Sequence, residues 1–122
     1  MKKLFAAISL VILAGAGCAQ PIIPTAMAPE PVATALYVTL GSGNFFFSPS
    51  VIEALPGQQV NITIGESDGF HTFVINEIGL KQRTAPGATF SFVAPATPGR
   101  YPIFCDVGKH QEQGMEGVLI VR

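Results

Sequence analysis

Tyr101-Pro-Ile-Phe-Cys105-Asp-Val-Gly-Lys-His110-Gln-Glu-Gln-Gly-Met115-Glu-Gly117 places a cysteine, a histidine and a methionine on one stretch, with four residues in each gap. A thiolate, an imidazole and a thioether so close together suit copper, which cycles between Cu(II) and Cu(I). They suit zinc poorly, because zinc rarely takes methionine. A fourth ligand has to come from elsewhere, and the chain holds only one other histidine, His71.

Period-two alternation puts His71, Phe73 and Ile75 on one face of a strand over 70–75. The same rule puts Tyr101, Ile103 and Cys105 on one face of a strand over 101–105. If the apolar members face a core, His71 and Cys105 face it too. His71 begins its strand and Cys105 ends its own, so antiparallel or mixed neighbours would bring them to the same end of the fold. Each residue alone has a plainer reading: a hydrogen-bonded core histidine, a small buried cysteine, a methionine filling a gap. Together those readings fail. Both histidines, the only methionine after residue 34 and the only cysteine after it all lie on these two stretches.

Around these residues the chain reads as short strands, over 36–40, 51–54, 60–64, 70–75, 89–93, 101–105 and 118–121. Turn residues recur between them and no stretch is long and periodic enough for a helix, which is the pattern of an all-β sandwich. No internal repeat is visible. The domain expected over 35–122 can bury one core but has no room for a large multi-substrate enzyme.

Before it, Met1-Lys2-Lys3, the apolar run Leu4 to Leu13 and Ala14-Gly15-Ala16-Gly17 form a secretory signal over 1–17, too short to span a bilayer comfortably. Gly15-Ala16-Gly17-Cys18 resembles a bacterial lipobox, which implies cleavage before Cys18 and lipidation of that cysteine. Ala14-Gly15-Ala16 also fits the small-x-small site of a soluble export signal. The 18–34 segment that follows carries four of the ten prolines and reads as a semi-extended tether. A Cys18–Cys105 disulfide is rejected, because Cys18 is consumed at the leader.

The charge excludes some partners. Seven Lys and Arg face eight Asp and Glu, and removal of Lys2 and Lys3 leaves five against eight. With no basic cluster after the leader, nucleic acid is not a partner, and docking to proteins is expected to be short-range and weakly salt-dependent.

His71-Thr72-Phe73 together with Tyr101-x3-Cys105-x4-His110-x4-Met115-x-Gly117 resembles the cupredoxins, the blue (type 1) copper proteins. The two equal gaps are like those of rusticyanin and auracyanin, and Gly108-Lys109 stands where relatives often have Pro-Gly. The resemblance extends through Pro49, Pro56-Gly57 and the closing strand. It implies a Greek-key β-sandwich of about seven to eight strands. It also implies one copper ion held by His71, Cys105, His110 and Met115, with Thr72 and Asp106 bonding across behind the ligands.

The function so implied is electron transfer rather than catalysis, by a monomer serving redox partners such as a cytochrome c or an oxidase. Its place would be outside the cytoplasm, in the periplasm or at the cell surface, held to the membrane by the lipid anchor. A copper-trafficking lipoprotein is the alternative. In such proteins the edge of the second histidine emerges through an apolar docking patch, for which Gly79, Leu80, Gly108 and Gly114 are candidates by their place in turns.

Overall fold

Val60, Ile62 and Ile64 are buried while Gln59 and Thr63 stay exposed, and this alternation makes β4 (Gln59–Ser67) the centre of one sheet. The computed structural model describes Gly15, Gly17 and residues 33–122; the rest of the leader, Cys18 and most of the proline-rich tether fall outside the described residues. Beside β4 runs β1 (Leu36–Gly43), parallel, with Val38 opposite Ile62. The short β2 (Phe46–Ser48) and β7 (Thr89–Val93) complete the order β2-β1-β4-β7.

The second sheet has the order β3-β9-β8-β5-β6. Its strands are β3 (Val51–Ala54), β9 (Glu116–Val121), β8 (Gly99–Phe104), β5 (Thr72–Ile75) and β6 (Leu80–Arg83). β3 and β9 are parallel, and the other pairs are antiparallel. A single 3-10 turn, Asn76–Ile78, is the only helical element among the described residues. The fold is therefore the all-β sandwich that the turn spacing predicts, with nine strands rather than seven or eight.

Two strands escape the sequence reading. β2 belongs to Phe45-Phe46-Phe47, where no alternation betrays which ring is inward, although only Phe47 is fully buried. β6, Leu-Lys-Gln-Arg, is an edge strand with exposed charged side chains, the usual protection of a free edge and a poor strand signature.

The sheets meet around Phe73. Its ring lies edge-on to Phe47 at 5.8 Å and tilts against Phe90 at 5.4 Å, so one β5 side chain locks onto β2 and β7 of the facing sheet. All four β5 residues are buried, but only Phe73 and Ile75 join the central core. The alternation holds, and Thr72 and Val74 are covered on the other side. Two Pro-Gly pairs turn the chain at opposite ends of the β4–β7 pair, one before each strand: Gly57 (φ 71°) and Gly87 (φ 77°) supply the positive φ of type II turns closed by Gln58 N–H to Leu55 O and Ala88 N–H to Ala85 O.

Candidate metal centre

β5 and β8 are antiparallel neighbours, with Val74 opposite Phe104. His71 immediately precedes β5 and Cys105 immediately follows β8, so the start of one strand lies beside the end of the other. Thr72 N–H donates to Cys105 Sγ at 3.4 Å across that junction. The backbone of His71 is tied down from a third side, since Thr84 N–H donates to its carbonyl and Thr84 itself lies in a buried hydroxyl cluster with Ser42 and Ser67.

The loop from Cys105 to Met115 is closed by its own backbone. Cys105 N–H donates to Met115 O at 3.1 Å, which extends the β8–β9 ladder one pair beyond Phe104 and Glu116. Inside the loop, His110 N–H donates to Val107 O and Met115 N–H to His110 O, both at 3.0 Å. The equal gaps therefore wind the chain so that His110 and Met115 return to Cys105. Gly117 follows where a side chain has no room, because a Cβ there would meet Ser50 O at 2.6 Å.

The donors converge. His71 Nδ1 lies 3.1 Å from His110 Nδ1, and Cys105 Sγ lies 3.6 Å from the same His110 atom. One ligand atom from each of the three residues falls within 4.8 Å of the others. His71 Nε2 sits 2.6 Å from Asp68 O, a carbonyl that can only accept, so Nε2 carries the proton and Nδ1 presents a lone pair. A second imidazole nitrogen 3.1 Å from that lone pair calls for a shared proton or a cation between them. Two imidazole nitrogens beside a thiol sulfur are a donor set that fits copper.

His71, Cys105 and Met115 are fully buried, and His110 is only partly covered. Met115 is joined to Cys105 and His110 through its backbone.

Thr72 and Asp106 meet behind the cysteine. Thr72 Oγ1–H donates to Asp106 Oδ1 at 2.7 Å, and Asp106 N–H returns a bond to Thr72 Oγ1 at 3.1 Å. The other carboxylate oxygen of Asp106 lies 2.6 Å from Lys81 Nζ. The Lys81 ammonium, then the Thr72 hydroxyl, hold the Asp106 carboxyl below the usual carboxylate range.

The surroundings of His110 differ from the expectation. Gly108 and Gly114 do lie on the His110 loop and are exposed. Gly79 and Leu80 do not belong there. Leu80 pairs with Ile75, at the opposite end of β5 from His71, about 13 Å away along the strand. The turn signal that suggested them is real but sits at the wrong end.

Aromatic residues take their place. The Phe45 ring lies 4.9 Å from the His110 ring, and Phe70, next to His71, is 54% exposed with the Arg83 guanidinium 4.7 Å over its face. Phe70 was legible as the neighbour of His71. Phe45, the Asp68 carbonyl and Lys81 carry no sequence signal, since each depends on how loops and registers meet.

The chain matches the Cupredoxin-like domain family over residues 6–121. Its fold is similar to that of dithionite-reduced auracyanin from the photosynthetic bacterium Roseiflexus castenholzii, with TM-score 0.60 and 21% identity, covering 72% of this chain and 98% of that one. It is also similar to a mutant plastocyanin of a fern, with TM-score 0.51 and 23% identity, covering 70% of this chain and 100% of that one. No curated protein matches it.

Proposed function

Since this chain belongs to the cupredoxin-like family, we propose that it is a mononuclear type 1 copper protein that carries single electrons at a membrane outside the cytoplasm. The observation that carries the reading is the convergence of His71 Nδ1, His110 Nδ1 and Cys105 Sγ from three places in the chain. His71, Cys105 and His110 would hold the ion, with Met115 as a weak fourth donor. Bound there, copper supplies a Cu(II)/Cu(I) couple and a thiolate charge-transfer colour.

The protein's part is to keep the donors in place. His71 is fixed through Asp68 O and Thr84 N–H, Cys105 through Thr72 N–H, and the Cys105–Met115 loop through its own bonds. A frame with so few free torsions changes little when an electron arrives, which favours fast transfer. The partly covered His110, with Phe45 against it and Phe70 exposed beside His71, offers the electron a short way to a partner. This is a carrier's site rather than an enzyme's. Voltammetry in the presence of a Cu(I) chelator tests it: a reversible one-electron couple with the metal retained is expected, whereas release on reduction would make the protein a trafficking lipoprotein.

Met115 is assigned as a tuning ligand, because a thioether is a weak donor. Met115→Leu removes a donor that assists Cu(II), so the potential is expected to rise. Met115→Gln offers a harder oxygen and should lower it. Each shift is expected to be on the order of tenfold in the reduced-to-oxidised ratio, about 59 mV for one electron. Movement of both variants in the same direction would remove Met115 from the ligand set.

The membrane location rests on the leader and on Cys18. Lipidation of Cys18 predicts that the exported protein fractionates with membranes and that Cys18→Ser moves it to the soluble fraction. Equal partitioning of both proteins would remove the anchor. Among the described residues no helix is long and apolar enough to cross a membrane.

A further inference from the structure

Thr72 has one hydroxyl proton and two acceptors within reach, Asp106 Oδ1 at 2.7 Å and Cys105 Sγ at 3.7 Å. It can serve only one of them. The carboxylate, closer and charged, takes it, and Cys105 Sγ keeps a single donor behind it, the Thr72 N–H at 3.4 Å. What holds the carboxylate in that pose is Lys81 on the edge strand β6, 2.6 Å from its second oxygen. Lys81 makes no hydrogen bond to the donors themselves, so beyond the screened field of its charge it acts on them through Asp106.

We propose that Lys81 is a positioning residue for the metal centre. Its ammonium neutralises and orients Asp106, and Asp106 withholds the Thr72 hydroxyl from the cysteine thiolate. The inference rests on the copper reading above, and it assigns to one surface lysine part of the setting of the potential.

Two consequences follow from charge and proton counting. Loss of the ammonium leaves an unbalanced carboxylate one residue from Cys105, which favours the more positive, oxidised centre. Loss of the carboxylate frees the Thr72 hydroxyl, already within reach of Sγ, and removes a negative charge. Both changes favour the reduced centre, in which the sulfur carries more negative charge. The lysine side chain is 62% exposed, so part of its influence is screened by salt.

The test compares copper-loaded parent, Lys81→Met, Asp106→Ala and the double variant by voltammetry at low ionic strength. Lys81→Met is expected to lower the potential by about threefold in the reduced-to-oxidised ratio, the scale of one nearby charge in largely aqueous surroundings. Asp106→Ala should raise it by at least as much. In the Asp106→Ala background, Lys81→Met should shift it clearly less, leaving only the screened through-space effect of the charge.

An unchanged potential in Lys81→Met, or the same shift with and without Asp106, overturns the proposal and leaves the copper reading intact. A parent without a copper–thiolate band overturns both. A metal-free readout is independent of loading: in the apoprotein the Asp106 carboxyl carbon resonance should move on Lys81→Met. A resonance that stays put shows that the pair does not orient Asp106, and overturns the proposal on its own.

Discussion

Cys105→Ser is expected to abolish the visible colour of the copper-loaded protein while leaving the sandwich folded. The reasoning starts from chemistry. A serine hydroxyl does not ionise near neutral pH and has no soft sulfur lone pair, so the low-energy charge transfer to Cu(II) disappears with the thiolate. The fold should survive because oxygen replaces sulfur at a fully buried but small side chain, and Thr72 N–H keeps an acceptor. Absorption spectroscopy and circular dichroism read the two halves separately. An unchanged blue colour in Cys105→Ser would remove Cys105 from the ligand set, whatever the fold looks like.

Phe73→Ala carries the largest expected cost in stability. Phe73 is fully buried, and its ring makes the cross-sheet contacts to Phe47, Phe90 and Phe92. Truncating such a residue removes its burial and leaves a cavity, about 3–5 kcal/mol in comparable cores. Against a total of roughly 5–15 kcal/mol for a small domain, that brings the metal-free protein close to unfolding. Urea denaturation of the metal-free protein should show a much lower midpoint with an unchanged slope. Copper binds the folded state, so loading should restore part of the loss. A cost below about 1 kcal/mol would mean that the sheets are not joined through this ring.

Much of the site was legible because Cys105, His110 and Met115 share one loop. The spacing from Cys105 to Met115 survives translation into structure unchanged: the β8–β9 ladder ends in the Cys105–Met115 bond, and His110 sits at the crest between them. His71 was legible for a weaker reason, scarcity, as the only other histidine in the chain. The pairing of β5 with β8 then places it beside Cys105, a fact of topology that periodicity can permit but not determine.

What stayed hidden depends on register. Lys81 reaches Asp106 only because the turn at Gly79 sets β6 against β5 with Lys81 opposite Val74. A shift of one residue would reverse the side chain. Phe45 reaches His110 because β2 begins one residue later, and three consecutive phenylalanines give no period from which to infer that. The misplacement of Gly79 and Leu80 has the same origin, since a turn is visible in sequence but the end of the sandwich it occupies is not.

The most direct measurement is a paired absorption and EPR spectrum of the purified domain titrated with Cu(II). One equivalent of copper held by Cys105 and the two histidines should give an intense visible charge-transfer band and the EPR signal of a single Cu(II), both lost on reduction and regained on reoxidation. A pale protein with only the weak bands of copper bound by nitrogen and oxygen would contradict the account at its centre, because it would mean that the Cys105 thiolate does not hold the metal.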